Sequence, residues 1–106
     1  MLSAQEREAV ATLLEETADG FESGRYGWTK GTFEVRGAYC AAGAILRRSS
    51  CEAPTGVKDL ALISLQDRVG SVTRWNDSLP SDTGVTTVIN TMKQVAKDLR
   101  NQEPEP

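Results

Sequence analysis

The residue types that could bind a ligand are concentrated in two short segments of the 106-residue chain, RYGWTK and WND. Aromatic rings can stack on a flat ligand, and charged or amide groups at the rim can hold its polar atoms. If both segments lie at one end of the molecule, they form an aromatic cleft. The candidate binding residues are Arg25, Tyr26, Trp28, Lys30, Trp75, Asn76 and Asp77.

The same residues also have an architectural interpretation, which we favour. Trp28 lies between Gly27 and Gly31, and a loop tryptophan commonly plugs the end of a small helical core because of its large apolar area. Asn and Asp that follow a helix commonly form caps and turns. We therefore expect Trp28 to anchor a loop, and Asn76 and Asp77 to end one helix and set the turn to the next.

The composition argues against catalysis. The chain has no histidine, so it cannot supply a Ser-His-Asp or Cys-His site alone. Cys40 lies near the start of a predicted helix, where a thiol could act as a nucleophile, but no histidine base accompanies it. We interpret Cys40 as a small buried residue and Cys51 as an accessible residue of a polar linker, both free thiols. Neither a phosphate-binding loop nor a paired-cysteine zinc pattern is present. The sequence predicts a protein that is not an enzyme and has no cofactor or metal.

Charge and hydropathy restrict the partners. The formal net charge is −3, which makes nucleic acid an unlikely partner because binding to it depends on neutralising phosphates. No apolar run approaches the roughly 18 residues of a membrane span, and the first ten residues lack the form of a signal peptide. We expect a cytoplasmic protein that makes no contact with a membrane.

Hydrophobic spacing of three and four residues predicts four helices, near residues 3–23, 38–48, 56–75 and 83–100. A capping box at Ser3 and Glu6 begins the first helix, and Gly24 ends it. Gly70 is a weak point in the third helix. One of Ser81, Asp82 and Thr83 should cap the fourth helix.

The segment between the first two helices has signals of its own. Residues 32–35 are β-branched and aromatic enough for a short extended piece, and the next two form a turn. In the second predicted helix, Cys40, Gly43 and Ala44 share one side with Arg47, and these small residues would let a neighbouring helix approach closely.

Taken together, the elements predict an all-α fold: a compact bundle of about four helices with a structured loop between helices 1 and 2. Residues 1–100 form the single domain, and residues 101–106 form a flexible polar tail. The predicted core comprises Val10, Leu13, Leu14, Phe21, Trp28, Ala44, Leu62, Leu65, Val69, Val72, Val88, Ile89, Met92 and Leu99.

Three motifs occur in a characteristic order: GWTKG, then YCAAGAI, then WND, followed by an amphipathic last helix. This order resembles a family of small uncharacterised proteins from actinobacteria and their phages, a domain of unknown function. The chain departs from the family pattern before Gly27, where SGRY adds residues, and in SLPSD, which carries an extra residue. The matching positions are Gly27, Trp28, Gly31, Cys40, Gly43, Ala44, Trp75, Asn76 and Asp77.

The resemblance implies a fold and no activity, and its phage association implies a role in interaction with a host. Our first hypothesis is a noncatalytic module that binds a host or cellular protein through an exposed helix face or the aromatic loops, for example as a phage-encoded modulator. The alternative is a small-molecule or nucleotide binder that uses an aromatic cleft at the Trp28/Trp75 end. The sequence leaves the oligomeric state and the identity of the partner open.

Overall fold

The computed structural model describes residues 2–47 and 55–102. This part of the chain is mostly helical and contains a small three-stranded sheet, so the fold is not strictly all-α. None of its helices is long and apolar enough to cross a membrane. The elements are α1 (Ala4–Ser23), β1 (Gly27–Trp28), β2 (Glu34–Val35), β3 (Ala38–Tyr39), α2 (Ala41–Arg47), α3 (Thr55–Val69), α4 (Val72–Ser78) and α5 (Gly84–Asn101).

Helix α1 begins and ends where the sequence predicts. The Ser3 hydroxyl accepts the Glu6 backbone N–H at 3.0 Å, and the Glu6 carboxylate accepts the Ser3 backbone N–H at 2.9 Å. At the other end, Gly24 takes a left-handed conformation with φ 79° and donates its N–H to the carbonyl of Phe21. Both ends are therefore set by local sequence.

The predicted loop between the first two helices contains the sheet, in the order β1-β3-β2. β2 and β3 form an antiparallel hairpin whose two-residue turn, Arg36-Gly37, has positive φ at both positions, as in a type I′ turn. β1 pairs with β3 in parallel, with Gly27 opposite Ala38. Strands of two residues are too short to show an alternating pattern, which is why helical spacing alone missed the sheet.

Two of the predicted helices have different boundaries in the structure. The one predicted from residue 38 begins at Ala41, because residues 38–39 pair in the sheet. The helix predicted over 56–75 is two helices, because Gly70 adopts φ 79° and the Ser71 hydroxyl caps α4 by accepting the Arg74 N–H at 3.4 Å. The WND segment therefore lies inside α4 and is not a turn after a helix.

The last helix begins at Gly84, after the predicted cap region. Thr83 occupies the N-cap position, but its side chain makes no capping hydrogen bond. The helix continues through Asn101, the first residue of the predicted tail, and residues 103–106 lie outside the described part of the chain, as does Cys51 in the predicted linker.

The core forms mainly between α1 and α5, with α2, α3 and α4 packed around them. The two long helices run antiparallel, since Lys93 pairs with Glu22 near one end and Arg100 pairs with Glu8 towards the other. Of the predicted core residues, eleven are buried, and three are half-buried against the core: Trp28, Leu62 and Val69.

Candidate functional site

Asn76 is the point where the separate motifs of the sequence meet. Its side chain is completely buried on α4. The Oδ1 atom accepts the indole N–H of Trp28 at 2.7 Å and the backbone N–H of Ala41 at 3.0 Å. The Nδ2 atom donates to the carbonyl of Thr29 at 3.0 Å. One amide therefore joins the β1 loop and the start of α2 to α4.

Asp77 adds a second connection between the same elements. Its Oδ1 atom accepts the backbone N–H of Gly31 at 2.8 Å, although the residue itself is exposed. Gly31 has φ 81°, a conformation that favours glycine. The GWTKG loop is thus attached to the WND segment at both of its ends, by Trp28 and by Gly31.

The two tryptophans lie in the same region but do not stack on each other. Trp28 is half-buried, and its ring packs against Gly84 at the start of α5, which has no space for a Cβ atom there. Trp75 is half-buried against the core from α4. Within the described ranges, the ring contacts join Phe21 to Tyr26 and Tyr26 to Tyr39.

The other three predicted site residues lie in different surroundings. Tyr26 is buried, its ring packs directly against Gly20 of α1, and its hydroxyl donates to the carbonyl of Thr17 at 2.7 Å. Arg25 is exposed and forms an ion pair with Asp19 at 3.2 Å. Lys30 is half-buried in the loop after β1. The structure thus places Tyr26 and Asn76 in the interior and leaves Arg25 and Asp77 at the surface.

A loop packs against the small residues at the start of α2. A Cβ atom on Gly43 would collide with the carbonyl oxygen of Phe33 and lie 3.0 Å from its carbonyl carbon. We expected a neighbouring helix at this position, and the segment that approaches Gly43 is the one that leads into β2. Cys40 is buried beside it, and its sulfur accepts the Gly43 N–H at 3.3 Å.

A small cavity lies where this loop meets α4. It has a volume of about 330 Å³ and is adjacent to Asp77, Cys40 and the loop at Phe33. It does not include either tryptophan. The polar groups around it are the hydroxyls of Thr32 and Thr73 and the Asp77 carboxylate.

The hairpin presents apolar side chains to the solvent. Phe33 and Val35 are each 45% exposed; Val35 lies in β2, and Phe33 directly precedes that strand. Leu46, 38% exposed, lies on α2 one turn beyond Gly43, the residue that contacts Phe33. We call these three residues the hairpin surface.

The sequence patterns do not single out the hairpin surface. The alternation of apolar Phe33 and Val35 with polar Glu34 is the only sequence signal for this surface. Alternation does not indicate which of the two sides is covered by the rest of the protein. In the structure, Glu34 points toward the molecule, pairing with Arg47 at 3.0 Å and accepting the Tyr39 hydroxyl at 3.1 Å. Val35, the next residue of β2, therefore faces the other way, to the solvent. Phe33, just before the strand, is exposed to the same extent.

The carboxyl groups whose pKa values are shifted take part in a helix cap or in ion pairs, and none of them belongs to the hairpin surface or to the candidate binding residues. Hydrogen bonds from Ser3 lower the pKa of Glu6, and a hydrogen bond from Arg100 lowers the pKa of Glu8. A hydrogen bond from Arg68 lowers the pKa of Asp98. Among the described residues, no three His, Cys, Asp or Glu side chains are grouped so that they could hold a metal ion.

Comparison with known proteins gives no match: no family model, no curated protein and no solved structure matches this chain. The resemblance to the actinobacterial and phage family therefore stays a prediction. The geometry of the chain itself carries the functional argument.

Proposed function

We propose that this protein is a noncatalytic protein-interaction module and that it binds its partner through the hairpin surface. The observation that carries the proposal is the distribution of exposed large apolar side chains. Of the four in the described residues, three belong to the hairpin surface, and the fourth, Ile63, lies on α3. Exposed apolar side chains that cluster are typical of interaction sites, whereas single ones are ordinary.

The hairpin surface is also held rigidly, which favours binding because little conformational freedom is lost. The type I′ turn fixes one end of the hairpin, and Glu34 ties β2 to Arg47 of α2. The Asn76 hydrogen bonds fix the start of α2 beneath it. Asn76 and Glu34 therefore support the surface and need not touch the partner themselves.

Basic residues outnumber acidic ones in the segment that carries the hairpin surface. Residues 25–47 contain four basic residues, Arg25, Lys30, Arg36 and Arg47, and one acidic residue, Glu34. Arg36, at the tip of the hairpin, forms no ion pair with any described residue. A partner with an apolar patch and acidic neighbours fits this chemistry. The resemblance to phage and actinobacterial proteins supports a host protein in that role.

The alternative proposal, a small-molecule or nucleotide binder, has a specific site in the cavity beside Asp77 rather than between the tryptophans. The indole N–H of Trp28 is already bonded to Asn76, so it is not available to a ligand. The cavity of about 330 Å³ is at the low end of the volumes that hold small ligands. It supports this alternative less strongly than the exposed apolar cluster supports the first.

Affinity capture with matched variants tests the proposed function. Immobilised wild-type protein and the double variant Phe33→Ser/Val35→Ser are incubated with host lysate, and bound proteins are quantified by mass spectrometry. Ile63→Ser is the control, because it removes an exposed apolar side chain outside the hairpin surface. All three substitutions are at exposed positions and should change the free energy of unfolding by no more than about 0.5 kcal/mol each.

We expect at least one captured protein to fall about tenfold or more with the double variant and to be retained by Ile63→Ser, a loss of about 1.4 kcal/mol in binding. If every captured protein binds the double variant as well as the wild type, the hairpin surface is not the interaction site. Thermal unfolding of all variants establishes that they are folded.

A further inference from the structure

A second apolar surface lies between α3 and α5. It is a groove of about 510 Å³. Its apolar lining includes Leu60 and Ile63 of α3 and Val95 and Leu99 of α5. We call this the α3–α5 groove. It shares no residue with the hairpin surface, and the inference drawn from it does not depend on the proposed function.

One of the apolar residues that line the groove is an exposed isoleucine. Ile63 is 53% exposed, the most exposed large apolar side chain in the described residues, although it lies in the middle of a 15-residue helix. Val95 and Leu99 line the same groove and are buried, and Leu60 is half-buried. The groove thus combines buried apolar residues with one exposed apolar side chain. A hydrophobic groove of this kind can bind the apolar face of an amphipathic helix.

Two carboxylates flank that isoleucine. Asp59 lies one turn before Ile63 and Asp67 one turn after it, so the three residues follow one face of α3. Neither aspartate forms an ion pair with a described residue. The nearest cation in the groove, Arg68, is already paired with Asp98. Asp67 lines the groove, and Asp59 lies one turn of α3 before Ile63, just outside the lining. The face of α3 around Ile63 therefore carries a carboxylate on each side.

The spacing of the carboxylates sets the spacing expected in a partner. Eight residues separate Asp59 from Asp67, and at 1.5 Å per residue the two Cα atoms are about 12 Å apart. A helix lying along α3 would meet both carboxylates if it carried two cations about eight residues apart, with apolar side chains between them on the same face.

We propose that the α3–α5 groove binds an amphipathic helix of a partner protein whose apolar stripe covers Ile63 and whose two basic residues, about eight positions apart, pair with Asp59 and Asp67.

Charge argues against two other occupants. In a two-fold dimer through Ile63, antiparallel α3 helices would place Asp59 opposite Asp67, and parallel helices would place each aspartate opposite itself. Both arrangements put like charges together, which is destabilising. The last four residues of the chain, EPEP, carry two carboxylates and no large apolar side chain, so their chemistry does not match the groove either.

A pair of synthetic peptides tests the proposal. The first is a 20-residue alanine-rich helical peptide with two lysines eight positions apart and leucines between them on the same face. The second has glutamates in place of those lysines. Binding to the full-length protein is measured by fluorescence anisotropy, and the contact surface is mapped by chemical-shift changes in ¹H–¹⁵N NMR spectra.

We expect the lysine peptide to bind at least about tenfold more tightly than the glutamate peptide at low salt, with shift changes on α3 and α5. The variant Asp59→Asn/Asp67→Asn should reduce that preference to about threefold or less, and added salt should do the same. Ile63→Ser should weaken the lysine peptide about tenfold, since it removes the central apolar contact. Phe33→Ser/Val35→Ser, the matched control, should leave the affinity unchanged.

Three results would overturn the proposal. Equal binding of the two peptides would mean that the aspartates do not select the partner. Shift changes confined to the hairpin surface would place the peptide elsewhere. A concentration-dependent dimer in sedimentation velocity that Ile63→Ser abolishes would assign the groove to a second copy of the chain. Since none of these measurements involves a hairpin partner, they are independent of the affinity-capture result.

Discussion

A single buried amide organises the residues that the sequence marks as distinctive. Asn76 makes hydrogen bonds to Trp28, to the Thr29 carbonyl and to the Ala41 N–H. A buried side-chain amide is stable only when its polar atoms are satisfied, and here both the oxygen and the nitrogen are. The Trp28 and WND motifs are therefore best understood as two halves of one structural connection.

Replacing this amide should destabilise the fold strongly. Asn76→Ala leaves the Ala41 N–H, which is buried, and the Trp28 N–H and Thr29 carbonyl, which are partly buried, without their partner. A buried polar group so orphaned costs about 1–3 kcal/mol. We expect a loss of about 3 kcal/mol or more in the free energy of unfolding. Chemical denaturation monitored by circular dichroism measures it.

The neighbouring residue provides the control. Asp77→Ala removes one exposed hydrogen bond, to the Gly31 N–H, and should cost only about 0.5–1.5 kcal/mol. A double-mutant cycle between Asn76→Ala and Trp28→Phe should show a coupling of about 0.5–3 kcal/mol. Equal losses for the alanine variants at 76 and 77, with no coupling, would mean that the amide does not hold the loop.

At the scale of the elements, the hairpin and α2 fit together through a glycine. Gly43 lies in a helix, where alanine would be more favourable by about 1 kcal/mol if space allowed. The carbonyl of Phe33 occupies that space. Glycine at position 43 therefore lowers the helix propensity of α2, but it allows the segment that carries the hairpin surface to approach closely.

The variant Gly43→Ala should destabilise the protein despite its better helix propensity. The new Cβ atom meets backbone atoms, which cannot turn aside as a flexible side chain can, and overpacking of this kind costs about 1–3 kcal/mol. Gly56→Ala is the control: nothing lies within 4 Å of its Cβ position in α3, and it should be neutral or stabilising by up to about 1 kcal/mol. Thermal unfolding compares the two.

Opposite signs for these two glycine variants would support the close contact between the hairpin and α2. If Gly43→Ala is as stable as the parent, the segment at Phe33 is able to move away from α2. In that case the hairpin surface would not be rigid, and one support for the proposed interaction site would be removed.

At the scale of the whole molecule, ion pairs connect the long helices along their solvent edge. Arg100 of α5 contacts both Glu8 and Glu15 of α1, and these carboxylates raise its pKa further. Lys93 pairs with Glu22 at 2.8 Å farther along. The side chains are mostly exposed, so each pair contributes little, but together they make the fold sensitive to the ionisation of carboxylates.

Stability should therefore be lost in acid. The pKa values of Glu6, Glu8 and Asp98 are lowered in the folded protein from ordinary values of 4.5, 4.5 and 3.8. Because the folded state favours the ionised form, the stabilisation is present above those ordinary values and disappears as the pH falls through the lower folded ones. We expect the melting temperature to fall progressively below about pH 4.5.

Melting curves between pH 3 and pH 7 on the wild type and two variants check this. Glu8→Gln should show a smaller fall in acid than the wild type, because its link to Arg100 no longer titrates. Glu16→Gln, which removes an exposed carboxylate of the same helix without an ion pair in the described residues, should behave as the wild type. A melting temperature that rises as the pH falls would contradict the assignment.

The sequence by itself determined the parts of the fold that depend on near neighbours. The bounds of α1 follow from the Ser3–Glu6 capping box and Gly24, and most of the predicted core follows from apolar spacing in α1 and α5. The turn at residues 36–37 was also predictable. These features are fixed by contacts between residues three or four apart, which a pattern in the chain records directly.

The tertiary structure alone decided the features that depend on distant residues. The parallel pairing of β1 with β3 joins residues eleven positions apart, and the bond between Trp28 and Asn76 joins residues 48 positions apart. Gly70 is compatible with one long helix or with a break, and the structure has the break, which places Asn76 on the separate helix α4. Whether Phe33 and Ile63 are covered or exposed is likewise a property of what packs beside them. Sequence patterns show that a side chain is apolar, but the neighbours that cover it come from elsewhere in the chain.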